Sequence, residues 1–219
     1  MSDSPARAYR SPIRAESRRR TVRRCVEAAA DLFLAQGYAA TTIDAVADRA
    51  GVARRTVFTA VGGKVELLKL AYDWSLVGDD APVSMAERPE ILAIAAERSP
   101  HRAVELWAEH VTTVASRSTP LLLVLIAAAD TDPEAASLHR TAAADARRGS
   151  AMFVQHLMRI GTLREGLDLD RATDLVWGLL HPGVYDRMVR RGSWTDAHFT
   201  EWLTSAFLAG LLGPTRRSR

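Results

Sequence analysis

The stretch TTIDAVADRAGVARRTVFTAVGGK, residues 41–64, places two short apolar periods around one glycine, and that pattern decides the fold. Ile43, Val46 and Ala47 fall at i, i+3 and i+4, one face of an amphipathic helix, and Thr41 followed by Asp44 has the outline of a capping box that starts it. Gly51 ends the period. Only glycine takes a left-handed backbone without steric cost, so Ala50-Gly51-Val52 predicts a tight turn at a helix C-terminus. A second helix is expected from Ala53 to Val61, burying Val57 and Val61 and leaving Arg54, Arg55, Thr56 and Thr59 to project. Helix, glycine turn and a second helix with Arg and Thr at its exposed N-terminal end make a helix-turn-helix. An arginine fork fits the O6 and N7 acceptors of guanine, and threonine offers a hydroxyl to base edges or phosphates and a methyl to thymine. The second helix is the expected reading head.

Working outward, Ala28, Leu32-Phe33, Gly37-Tyr38, Thr41-Thr42-Ile43, Val46-Ala47, Ala50-Gly51-Val52, Thr56-Val57-Phe58, Gly63-Lys64 and Leu67-Leu68 stand at a characteristic spacing. In these positions the chain resembles the N-terminal domain of the TetR family of bacterial transcriptional regulators. The resemblance implies an all-α homodimer. Its two reading heads would meet a palindromic double-stranded DNA operator, and a variable helical C-terminal domain would bind a small-molecule effector and release the DNA. It implies DNA contacts at Thr42, Arg54, Arg55, Thr56, Phe58, Thr59 and Lys64, the last in the first turn of a fourth helix, where free amides favour a phosphate. The chain departs from the family where a serine usually caps the recognition helix, since Ala53 stands there; such a cap contributes on the order of 1 kcal/mol. Phe58 also lacks a hydroxyl that would meet a phosphate, so Arg54, Arg55 and the basic N-terminus are expected to take over part of that work.

Charge distribution agrees with a DNA partner. Through Lys64 there are 12 basic and six acidic residues, a net +6; the remainder of the 29 basic and 26 acidic residues gives 17 against 20, a net −3. Phosphate neutralisation supplies most non-specific affinity for DNA. A basic run alone is more often a solvated face. The hydrophobic content of 47% and charged content of 25% are ordinary for a globular chain. No apolar run looks long enough to span a bilayer, the longest being Leu121–Ala129, and the N-terminus lacks the apolar core of a signal peptide, so no membrane partner is expected and the cytoplasm is the expected compartment. Cys25 stands alone, which excludes an intrachain disulfide or a cysteine-rich zinc site; it reads as a small buried side chain or as a redox thiol.

The expected organisation is a flexible basic arm at 1–16, the helix-turn-helix domain at 17–64, a linking helix and loop at 65–82, a helical ligand-binding and dimerisation domain at 83–213, and a basic tail at 214–219. The arm is either a free leader or a DNA-contacting segment. Val22, Val26, Ala29 and Phe33 make the apolar stripe of the first helix. Pro120 and Pro133 are each expected to open a helix, after His101–Arg117 and at Asp132 respectively, and Pro182 to kink one near His181.

No catalytic signature is present: there is no phosphate-cradling glycine loop, no His-Glu-x-x-His and no Gly-x-Ser-x-Gly, and neither a cofactor nor a metal is expected. Candidates to line a mostly apolar ligand cavity are Trp107, His110, Val111, Leu122, Leu125, Ile126, Phe153, His156, Leu157 and Trp177; each also suits plain core. Leu175, Leu179, Phe199, Leu203, Ala206, Phe207 and Gly210 lie on the last two long helices, which the resemblance makes a dimer interface and which otherwise close the monomer core. The resulting function is a ligand-responsive repressor. The alternatives are a helical binding protein or enzyme that keeps the helix-turn-helix as a structural unit, and a DNA binder without a ligand.

Overall fold

A computed structural model describes residues 5–81 and 83–212, with side chains from Arg14 onward. The described residues form helices and connections, with no strand: α1 (Pro5–Ala40), α2 (Ile43–Ala50), α3 (Arg54–Ala60), α4 (Lys64–Val77), α5 (Pro89–Ala96), α6 (Pro100–Ala129), α7 (Pro133–Ile160), α8 (Leu169–Leu179), α9 (Pro182–Tyr185) and α10 (Asp196–Phe207). The expected all-α fold is what is seen.

Two apolar cores divide the work. The first unites Val26, Ala29 and Phe33 of α1, Val46 of α2, Val57 of α3 and Leu67 and Leu68 of α4 with Leu121, Leu125 and Ala128 of α6 and Ala135 of α7. The second joins Val104 and Trp107 of α6, Phe153 and Leu157 of α7, Val176 of α8, and Phe199, Leu203 and Phe207 of α10. Helix α6 therefore enters both.

Five expectations are corrected. Helix α1 starts at Pro5, where an arm was expected over 1–16. Proline suits the first helical position, and Ala6, Arg7, Ala8, Arg10, Arg14, Ala15 and Glu16 are strong helix formers. Residues 1–4 and the 214–219 tail lie outside the described residues. Helix α2 is capped by Thr42, whose hydroxyl accepts from the Ala45 amide at 3.1 Å, while Thr41 is buried and donates to the Gly37 carbonyl at 2.8 Å. Helix α6 runs through Pro120 without a break. An interior proline costs about 3 kcal/mol. Burial of Leu121 and Leu125 just beyond it contributes roughly 1.5–3 kcal/mol each, enough to hold the helix together. The continuous α6 is thereby long and apolar enough to cross a membrane by length and composition, contrary to expectation, yet in the fold it packs against α1, α4, α5, α7, α9 and α10. Finally, Pro182 breaks its helix and does not merely kink it: α8 stops at Leu179, and the His181 ring accepts from the Gly183 amide at 3.1 Å to start α9.

Candidate DNA interface and ligand cleft

The turn between α2 and α3 is held from three sides. Gly51 adopts φ 63°, ψ 43°, and its amide reaches the Ala47 and Asp48 carbonyls. The Val52 amide donates to Ala47 O at 3.0 Å. From α1, the Arg24 guanidinium donates to the Ala50 carbonyl and, at 3.2 Å, to that of Gly51, so a helix outside the motif closes its C-terminal end. Val57, fully buried, seats α3 on the first core. With that face fixed, the opposite face of α3 is left to solvent.

Ala53 precedes α3 without a side-chain cap, and Arg54 and Arg55 follow on its exposed first turn. Arg54 Nη1 donates to Asp44 Oδ2 of α2 at 2.5 Å, and its Cζ lies 5.6 Å from the centroid of the exposed Phe58 ring. The Arg55 side chain has no hydrogen-bond or ion-pair partner among the described residues. Thr59 turns its hydroxyl onto its own helix, donating to the carbonyls of Arg55 (3.0 Å) and Thr56 (3.2 Å), which leaves its methyl outward. A groove of about 350 Å3 between α1 and α3 is lined by Arg14, Arg18, Thr21, Thr56 and Thr59 among others, with no carboxylate in its wall among the described residues. Thr42 is exposed beside this surface but has its oxygen engaged as a cap.

Lys64 is placed differently from the rest. Its ammonium donates to the Tyr38 carbonyl at 3.0 Å and sits 4.0 Å from the centre of the Tyr38 ring. Gly37, at φ 80°, interrupts α1 immediately before, and so takes the Tyr38 carbonyl out of the helical ladder and leaves it to accept from Lys64 and the Thr41 amide. The lysine thus points back into its own chain, not outward as expected. Tyr38 in turn donates its hydroxyl to Asp132 Oδ2 at 2.6 Å, tying this end of α1 to the cap of α7. Cys25 is fully buried and burial pushes its thiol pKa up, which suits an inert core side chain.

In the second half of the chain a cleft of about 520 Å3 opens between the end of α4, the start of α5 and the middle of α6. Leu76, Met85, Leu106, Arg88, His110 and Arg117 are among its walls. Of the ten side chains proposed from sequence, His110 alone lines it. Trp107 and Phe153 stack on one another at 4.6 Å in the second core, where Leu157 and His156 are also buried and Val111 packs. Leu122 and Leu125 belong to the first core, Ile126 is half-buried, and Trp177 is 39% exposed on α8. Burial pushes the His110 pKa below the usual histidine range, with Glu90 opposing and Arg117 adding to the shift.

The proposed interface residues divide in the same way. Phe199, Leu203 and Phe207 are buried inside their own subunit, and Leu175 lies over Gly210 so closely that a Cβ there would sit 3.0 Å away. Leu179 and Ala206 are half-buried.

Sequence reasoning missed the polar contacts around the cleft. Gly78-Asp79-Asp80 reads as a boundary loop, but its two carboxylates face opposite ways. Asp79 takes a two-pronged contact from Arg88 of the cleft wall at 2.7 and 2.8 Å, and Asp80 takes one from Arg23 of α1. Both acids are held below the usual carboxylate range, each first by the hydrogen bond from its arginine. Arg117 closes the end of α4 by donating to the Leu76 carbonyl at 2.9 Å. Pairs separated by 9, 57 and 41 positions leave no local pattern to read.

A helix-turn-helix braced by α1, with an exposed arginine-bearing α3 and a second helical core that shares α6, has the arrangement of a helix-turn-helix transcriptional regulator. The profile described as "Bacterial regulatory proteins, tetR family" matches residues 26–71, the stretch from the middle of α1 through the helix-turn-helix into α4. The chain is 27% identical over 187 residues to an uncharacterized HTH-type transcriptional regulator, YdeS, of Bacillus subtilis (strain 168), covering 83% of this chain and 85% of that protein. Its fold is similar to that of the fatty acid degradation regulator FadR from Bacillus halodurans, with TM-score 0.67 and 12% identity over 90% of this chain and 97% of the other. A transcriptional regulator from Saccharomonospora viridis solved in complex with choline is also similar, with TM-score 0.65, 15% identity, and 90% and 98% covered.

Proposed function

We propose that the protein is a cytoplasmic homodimeric repressor that binds a palindromic operator through α3 and leaves it when a small molecule fills the cleft between α4, α5 and α6. The observation that carries the DNA part is the outer face of α3, where Arg54 and Arg55 stand exposed beside a groove lined by Arg14 and Arg18. Two such heads about 34–36 Å apart would meet successive major grooves on one side of B-DNA. Trp177, exposed on α8, and the half-buried Leu179 and Ala206 are the part of the predicted interface left for a second subunit.

Support for ligand response comes from the cleft's neighbours. Arg88 is at once a wall of the cleft and the partner of Asp79, and the next residue, Asp80, grips α1 of the DNA-binding domain. A solute that displaces Arg88 acts on the loop that also holds α1. Leu76, Met85 and Leu106 beside Arg88, His110 and Glu90 suit an amphipathic molecule better than a purely apolar one. The choline complex of one fold relative, and the fatty acid pathway named for another, are compatible with effectors of that kind.

The test is to select bound duplexes from a random pool and to compare the wild type with Arg54→Ala/Arg55→Ala. Selective binding by the wild type and its loss in the variant are expected, with roughly 1–3 kcal/mol of discrimination lost per arginine that makes a bidentate base contact. A wild type that enriches no sequence, or a variant that enriches the same one, would sink the reading. Sedimentation should give a dimer.

A further inference from the structure

Arg54 differs from the other described cations on the α3 surface in being held by two side chains at once. Its Nη1 donates to Asp44 Oδ2 at 2.5 Å, and the Phe58 ring one turn further along lies 5.6 Å from its Cζ. The ring restricts the plane of the guanidinium, and the carboxylate restricts its direction. Only Nη1 is engaged with the acid, and an arginine carries five N–H groups. The edge formed by Nη2 and Nε therefore stays free for a two-pronged contact. Both partners are more than half exposed, so DNA can reach that edge without first breaking the pair.

Asp44 carries a cost for a DNA-binding surface, because it repels phosphate and lowers sequence-independent affinity. It also penalises one wrong pose in particular. If Arg54 swings to a backbone phosphate, Asp44 is left facing negative charge without its partner; if the fork meets a guanine edge, the pair survives. Resting on the reading of α3 as the DNA-reading helix, we propose that Asp44 is a positioning residue that aims Arg54 at a guanine in the major groove, strengthening discrimination at that base pair at the expense of general affinity. Pre-ordering also moves the loss of side-chain freedom from DNA binding to folding.

The domain contains its own control. Arg49 and Asp31 form a second exposed arginine–aspartate pair at 2.6 Å, between α2 and α1, that has no contact with Arg54. Asp44→Asn and Asp31→Asn remove the same charge from the same domain. Each variant is titrated against the duplex selected by the wild type, against duplexes with each G·C pair exchanged singly, and against an unrelated duplex, with Asp44→Asn repeated in an Arg54→Ala background. Both single variants should bind the unrelated duplex more tightly, and only Asp44→Asn should lose discrimination, by roughly five-fold or more, at a single G·C pair. In the Arg54→Ala background Asp44→Asn should leave discrimination unchanged. Equal behaviour of the two single variants overturns the proposal in favour of simple surface charge. Tighter binding of every duplex by Asp44→Asn with discrimination intact overturns it by showing that Asp44 sequesters Arg54. A wild type that binds no duplex selectively removes the DNA reading, and this inference with it.

Discussion

Removing the Tyr38 hydroxyl isolates the bolt between the DNA-binding unit and α7. Tyr38 is 7% exposed, and its hydroxyl donates to Asp132 Oδ2 at 2.6 Å, while the other oxygen of Asp132 caps α7 by accepting from the Glu134 and Ala135 amides. Tyr38→Phe keeps the stack on Phe33 and removes one hydrogen bond to a charged acceptor. Such bonds contribute about 1.5–3 kcal/mol. Asp132 is half-exposed, so water replaces part of the loss, and the low end, about 1.5 kcal/mol, applies. At this chain length that lowers the unfolding midpoint by roughly 3–6 °C. The pH dependence is more diagnostic. Burial first, then the bond to Asp132, raises the Tyr38 pKa in the fold, so its contribution is present below the unfolded value near pH ~10 and is lost as pH climbs above it. The same bond is the largest cause lowering the Asp132 pKa, so that contribution is present above pH ~3.9 and fades as pH falls through the folded value. Urea unfolding of wild type and variant from pH 4 to 11 should show a shallower alkaline decline in Tyr38→Phe; Tyr72, raised to about 12, and Tyr185 and Cys25, also raised, contribute to what remains. Equal stability at pH 7 together with an equally steep alkaline limb would refute the reasoning.

Three other outcomes are expected. Gly51→Ala should cost about 1–2 kcal/mol in urea unfolding, because φ 63° is left-handed and the new Cβ would stand 2.8 Å from Arg24 Nη2; a neutral result would mean that the turn is not held as described. Burial lowers the His110 pKa, as it does that of His156, so the unfolded chain takes up protons first and stability should fall as pH drops below ~6.5. His110→Gln should flatten part of that acid limb in the same assay. Asp80→Asn should leave folding and effector-free operator affinity nearly intact while weakening the response to an effector found by thermal-shift screening; an unchanged ratio of operator affinities with and without effector would exclude the loop from coupling.

The helix-turn-helix was legible because its determinants are local. Gly51, the Ile43-Val46-Ala47 period and the buried Val57 lie within a few turns of each other, and backbone sterics and burial act at that range. Helix α6 was misread because Pro120 is a strong local signal overridden by a distant one, the burial of Leu121 and Leu125 against α1 and α4. Lys64 was placed outward from helix-terminus logic. Its actual acceptor, the Tyr38 carbonyl, exists only because Gly37 opens the backbone 27 positions away. The cleft was not legible for a related reason: large apolar side chains such as Trp107 and Phe153 fill space with one another, and the open cleft lies where smaller, shorter or charged groups meet.

Helix α4 is a strut fastened at both ends by polar contacts. At its first residue, Lys64 grips the Tyr38 carbonyl, and Tyr38 reaches Asp132 of α7. At its last turn, Arg117 holds the Leu76 carbonyl, and beyond Gly78 the paired aspartates divide between Arg88 and Arg23. A ligand shifts a two-state protein only by binding one state more tightly than the other. Apolar packing resists small displacements because its cost rises steeply with any gap, whereas contacts at exposed helix ends can be remade with water as one partner. The cleft abuts the water-accessible end of the strut, and Lys64 and Tyr38 hold the more enclosed end. On the proposed ligand response, a solute entering between Arg88 and Arg117 is expected to move the C-terminal end of α4 about its N-terminal anchor. The arc so described carries the Asp80–Arg23 contact, and with it α1, whose next residue, Arg24, closes the turn that aims α3.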